Sequence, residues 1–101
     1  MKKVFLSGPV TGLDYEQVKK NFNQAEQLFL DKDYQVMNPV TFVPAGEDWN
    51  KAMRRCLVAI SSCNTIYLLK GFEGSRGSTL ELVIAHELEM EVIFEDQDLI
   101  Y

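Results

Sequence analysis

Apolar positions recur along this chain with two periods that exchange places. Residues 3–7, Lys-Val-Phe-Leu-Ser, form a short apolar run stopped by Gly8-Pro9, which suits a buried strand better than a helix. From Tyr15 the period lengthens: Tyr15, Val18, Phe22, Ala25 and Leu28 share one helical stripe that runs to about Lys32. Asp14 stands where an N-cap belongs, with Gln17 three residues on as in a capping box and Leu13 and Val18 at the staple positions. A second short strand is predicted over 34–37, closed by Asn38-Pro39, and a loop containing Pro44-Ala45-Gly46 follows. Asp48 then caps a helix whose buried side holds Trp49, Met53, Cys56 or Leu57, and Ile60, ending near Ser61-Ser62. Residues 65–69, Thr-Ile-Tyr-Leu-Leu, read as a central strand covered on both faces. Beyond a glycine-punctuated loop over 71–78, Ser78 and Glu81 make a second capping-box pattern. Leu80, Val83, Ile84 and Leu88 predict a third amphipathic helix, and residues 91–94 a fourth strand.

This alternation of strand and helix is the signature of an α/β domain. It predicts a doubly wound parallel sheet of four to five strands with helices on both faces, the whole of 1–101 forming one domain. Such sheets bind ligands at the carboxyl ends of their strands, where strand order reverses. Two loops leave those ends, residues 7–12 and residues 71–78. In a doubly wound order strands one and three are neighbours, so both loops open into one crevice.

Composition narrows the function classes. Fifteen Asp plus Glu against ten Lys plus Arg give a net charge of -5, and every residue after Arg76 that is charged at neutral pH is acidic. Duplex nucleic acid, whose binding needs clustered cations, is excluded as a partner. No run of about 18 apolar residues is present for a membrane span, and the first residues lack a signal-peptide core. These features predict a soluble, cytoplasmic protein. Cys56, Cys63 and the single His86 are too few for a structural zinc site, and no metal is expected. His86-Glu87-Leu88-Glu89-Met90 begins like a zinc-protease motif but carries Met90 where the second histidine belongs, so His86 is read as solvent-facing or at an interface.

The crevice loops hold neither a Walker A run nor Gly-x-Gly-x-x-Gly. They offer instead Ser7, Thr11, Ser75 and Ser78, with Arg76 as the nearby cation. Hydroxyls and backbone N–H groups at a helix start suit a single phosphate or sugar. Equally, Gly12 and Gly77 serve turns, Thr11 caps locally and Arg76 is solvated. Glu81 has two readings of its own. It is the N3 member of the Ser78 capping box, or it is a carboxylate at the crevice rim, kept ionised by the helix dipole and aimed at an anomeric carbon. Tyr15 and Trp49, at helical positions, are read as core; Phe72 could stack a base.

Several segments carry a resemblance. Residues 5–12 (Phe-Leu-Ser-Gly-Pro-Val-Thr-Gly), Asn21-Phe22 with Ala25-Glu26, residues 36–39, residues 63–69 and the stretch 71–81, which contains Ser75-Arg76-Gly77 and Glu81, resemble an uncharacterised phage and bacterial family related to nucleoside 2-deoxyribosyltransferases. The resemblance spans about residues 3 to 94. It implies a flavodoxin-like fold and, without metal or organic cofactor, N-glycosidic cleavage or base exchange on 2′-deoxynucleosides or their 5′-monophosphates. The glutamate matching Glu81 attacks C1′ in such enzymes, and water or a second base resolves the ester. The resemblance further implies that Ser75, Ser7 and Gly8 help hold a 5′-phosphate; Thr11, Gly74, Arg76, Gly77 and Ser78, in the same two loops, are read as the rest of the substrate site.

Relatives usually carry an aspartate where this chain has Asn64. An amide cannot pass a proton to a departing base, so loss of a general acid is expected there, and a non-catalytic nucleotide-binding or sequestering protein is the alternative. A small interaction module that merely keeps the fold is a third. The small size of the domain and relatives that complete their sites from a neighbouring subunit predict a homodimer or higher homo-oligomer. The apolar end Leu99-Ile100-Tyr101 after an acidic stretch points the same way.

Overall fold

The computed structural model describes residues 1–96; Leu99-Ile100-Tyr101, invoked above for self-association, lies outside the described residues. Strands β1 (Lys3–Ser7), β2 (Gln35–Met37), β3 (Thr65–Leu68) and β4 (Glu91–Phe94) alternate with helices α1 (Tyr15–Leu30), α2 (Trp49–Ile60) and α3 (Arg76–Glu87). All pairings are parallel and the strand order is β2-β1-β3-β4. The chain thus steps from β1 to β2 in one direction and returns past β1 to β3. The switch point falls between the carboxyl ends of β1 and β3, where Ser7 pairs with Leu68. This is the flavodoxin-like order, and it brings the two glycine loops together as the sequence requires.

The period of two along each strand divides the interior into two layers. Val4 and Leu6 of β1 face α1 and pack with its Val18, Phe22, Ala25 and Phe29, joined by Tyr67 and Leu69. Phe5, Ile66 and Leu68 face the other way, onto Cys56, Ala59 and Ile60 of α2 and Ala85 of α3. β1 and β3 are buried almost throughout, as expected of strands covered on both faces. Gly8 lets the chain leave β1 tightly: a Cβ there would stand 2.9 Å from the Leu69 Cβ and 3.3 Å from the Phe22 ring.

Three local expectations are corrected. Asp14 and Asp48 occupy the N-cap positions of α1 and α2, but neither side chain makes a capping bond; Gln17 donates to Asn21 instead of reaching back. In α1, Phe29 takes the inward place expected of Leu28, which is exposed. The largest departure is α3. It begins at Arg76, and its cap is Ser75, whose Oγ accepts from the Ser78 amide at 3.2 Å. Glu81 therefore lies in the second turn and is not a capping residue. The buried face of α3 is Ser78, Glu81 and Ala85, whereas Leu80 (39%), Val83 (57%) and Leu88 (55%) are exposed to solvent. Ser78 and Glu81 of this inward face line a cleft, while Ala85 packs in the core. Among the described residues, no helix is long and apolar enough to cross a membrane.

Candidate active site

In a parallel sheet each helix starts at the end where the preceding strand stops. The first residues of α1, α2 and α3 are Tyr15, Trp49 and Arg76, and all three stand around one cleft of about 700 Å³. Its floor is formed by Ser7, Cys56, Ser78 and Glu81; Gly8, Thr11, Gly74, Ser75 and Gly77 line its rim, and the loop around Pro44 closes a further side. The structure thus brings Ser7, Gly8, Thr11, Gly74, Ser75, Arg76, Gly77, Ser78 and Glu81 to one place.

Glu81 is 5% exposed, and its Oε1 accepts a 2.6 Å hydrogen bond from the Ser7 hydroxyl. Burial pushes its carboxyl up to about 7, while hydrogen bonds from Ser7 and Cys56 pull the other way. This corrects the expectation of a rim carboxylate held ionised by the helix dipole, because loss of water outweighs the partial charge of the helix end. Burial likewise pushes the Cys56 thiol up to about 12, so it stays protonated and able to donate to Glu81. Ser7 spends its hydroxyl hydrogen on Glu81, which makes it a positioning group for that carboxylate and withdraws the donor expected to face a phosphate.

The start of α3 is built differently. Ser75 accepts from the Ser78 amide and keeps its own hydroxyl hydrogen available. The Ser78 hydroxyl is buried and has no hydrogen-bond partner, although it lines the cleft. Arg76 stands over the Trp49 ring, its guanidinium carbon 3.7 Å from the ring centroid. A helix N-terminus, a free hydroxyl and a guanidinium lining one cleft suit a mono- or dianion.

Comparison with known proteins places the chain in a family. Residues 2–94 match the model described as Domain of unknown function (DUF4406). The chain belongs to the DUF4406 family. No curated protein matches it. Two solved structures share the fold. A 2-deoxyribosyltransferase from the psychrotolerant bacterium Bacillus psychrosaccharolyticus superposes with a TM-score of 0.69 at 20% identity, covering 91% of this chain and 70% of its own. The CMP N-glycosidase BcmB of Clostridium botulinum gives 0.65 at 22% identity, covering 99% of this chain and 75% of its own. The family related to nucleoside 2-deoxyribosyltransferases, recognised in the sequence, thus has its fold here.

In this DUF4406 chain Asn64 does not reach the site. It precedes β3 at the amino end of the sheet, where its Oδ1 accepts from the Lys3 amide at 3.0 Å and from the Thr65 hydroxyl at 3.2 Å. Ser7 lies four residues after Lys3 in β1, about 13 Å at the rise of a strand. Asn64 is a structural clasp between β1 and β3, and the general-acid role expected at its position is withdrawn. Asn64→Asp retains both acceptor bonds, so any catalytic rate is expected to stay within about twofold of wild type, the range of surface changes away from a site. A rise in rate in acid, measured by release of free base, contradicts this placement.

Trp49, Tyr15 and Cys56 are cleft residues that the sequence analysis assigned to core or to inert thiols. Trp49 and Tyr15 are half-buried and line the opening, while Cys56 is both core and floor. Their position as helix-starting residues in a parallel α/β alternation was the available signal for the two aromatics. Cys56 had none, because its neighbour Glu81 comes from another helix.

Proposed function

We propose that this protein cleaves or exchanges the N-glycosidic bond of 2′-deoxynucleosides or their 5′-monophosphates, with Glu81 as nucleophile. The observation that carries the reading is the Glu81 carboxylate, buried at the floor of the switch-point cleft and held by Ser7 at 2.6 Å. A carboxylate so held has one well-defined direction, and the shared fold with a 2-deoxyribosyltransferase and a CMP N-glycosidase supports the chemistry. Ionised Glu81 attacks C1′, the C1′–N bond breaks with its electron pair leaving on the base, and a glycosyl ester forms. Water or a second base then attacks C1′ and returns the carboxylate. Ser7 holds Oε1 throughout, and Cys56 supplies a weaker donor that a displaced carboxylate oxygen readily leaves.

The 5′-phosphate is assigned to the start of α3, where Ser75, Arg76 and the unpartnered Ser78 hydroxyl all line the cleft. Monophosphates are expected to bind about tenfold more tightly than the matching nucleosides, the effect of one net charge-assisted contact. Incubation with the four deoxynucleosides and their 5′-monophosphates, followed by chromatography of free base, tests the activity; calorimetry of the same pairs tests the preference. Nucleotides bound without release of base make the chain a nucleotide-binding protein instead. We further assign a homo-oligomer, supported by the apolar stripe Leu80, Val83 and Leu88 on the outer face of α3.

A further inference from the structure

Trp49 is the single tryptophan of the chain and the first residue of α2; Arg76 is the first residue of α3. Their stack, 3.7 Å from guanidinium carbon to ring centroid, bridges two helix N-termini across the mouth of the cleft. Arg76 is the one Lys or Arg among the described residues lining that cleft. The acidic group nearest in sequence to Trp49 that also lines it, Glu47, is taken by Arg55 through bonds of 2.8 and 3.0 Å. Stacking on an indole occupies the flat face of a guanidinium and leaves its in-plane N–H fork open, and that fork is what matches a phosphate.

We propose that Trp49 is a positioning residue that fixes Arg76 as a phosphate-gripping fork and so sets the preference for nucleoside 5′-monophosphates over nucleosides. A long exposed arginine is otherwise spread over many rotamers, and ordering it on binding subtracts from affinity. The indole restricts it beforehand, in the cleft that the unpartnered Ser78 hydroxyl also lines. Trp49 therefore acts on the phosphate and not on the reacting carbon. The proposal rests on the nucleotide reading above but needs no turnover.

The test is calorimetry with 2′-deoxycytidine 5′-monophosphate and 2′-deoxycytidine, in a Glu81→Gln background so that neither ligand is consumed. Trp49→Ala is expected to weaken monophosphate binding about tenfold while leaving nucleoside binding within twofold, and Trp49→Phe, which keeps an aromatic face, to restore most of the loss. Arg76→Gln is expected to match Trp49→Ala, and the double variant to lose no more than either, as two parts of one device do. Thermal melts of each variant confirm folding. Equal weakening of both ligands makes Trp49 a wall for the base and overturns the proposal, as does an unchanged ratio in Trp49→Ala. A parent protein that shows no preference for the monophosphate, or no binding, overturns it too. Failure of the catalytic reading shows separately, as absence of free base with wild-type protein, and leaves the ratio interpretable.

Discussion

Glu81→Gln is expected to lower base release from deoxynucleoside 5′-monophosphates on the order of 10⁴-fold or more, as removal of a covalent nucleophile does elsewhere. An amide of the same shape cannot form the glycosyl ester, yet its carbonyl oxygen can still accept the bond that Ser7 now gives to Oε1. The substitution therefore separates chemistry from architecture. Wild type and variant are compared by rate of free base at saturating substrate, and by affinity for the same monophosphate, which is expected to hold within a few-fold. A variant that releases base at the parent rate removes Glu81 from the mechanism. The pH profile adds a signature: with the carboxyl raised to about 7, the wild-type rate is expected to climb through neutrality and level off above it, because the ionised form attacks.

The same substitution is expected to stabilise the protein at alkaline pH. Glu81 ordinarily titrates at 4.5 and is pushed up to about 7 in the fold, so the native state holds a proton that the unfolded chain has already released. Folding stability then falls as pH rises from 4.5 through about 7, and the loss is complete above that. A shift of this size corresponds to about 3 kcal/mol. Glu81→Gln carries no such penalty. Its advantage over wild type is expected to be small near pH 4.5, to grow across the neutral range and to approach about 3 kcal/mol by pH 8, read from urea unfolding midpoints. Parallel stability curves for the two proteins would show that the carboxyl is not desolvated as described. A stabilised, inactive variant is the mark of a residue kept for its chemistry at a cost in folding.

The order of elements, the strand boundaries to within a residue and the meeting of the two glycine loops were all legible in the chain. They depend on local period and on the rule for parallel sheets. What sequence pattern could not resolve was the rotation of α3. Leu80, Val83, Ile84 and Leu88 form a correct helical stripe, but the helix turns Ser78, Glu81 and Ala85 inward, where Ser7 of β1 and Cys56 of α2 hydrogen-bond Glu81 and Ala85 joins the core. An inward polar face is invisible to any reading that equates buried with apolar. The mistaken cap has a related cause: Ser75 and Ser78 both offer a hydroxyl three residues before a suitable partner, and the extended backbone at Ser75, φ -104° and ψ 117°, selects the first. Asn64 misled for another reason. Residues at the head of a strand lie at the amino end of the sheet, one strand length away from its chemistry, and the loops after the strand are where a proton donor belongs.

The division of the cleft into a floor and a mouth bears on how such a protein can diversify. Ser7, Cys56, Ser78 and Glu81 are all buried, and Ser7 and Cys56 hydrogen-bond the Glu81 carboxyl, so a change there bears on the reactive group itself. Tyr15, Trp49 and Arg76, by contrast, sit at helix ends on the accessible side of the opening, and none belongs to the buried core clusters. Mutation can thus sample new ligand preferences at the mouth without touching the reactive group, while the floor is held by its chemistry, since loss of the Glu81 charge is expected to stabilise the fold. Chains sharing this scaffold are expected to hold their reactive carboxylate fixed and to differ in what they admit to it.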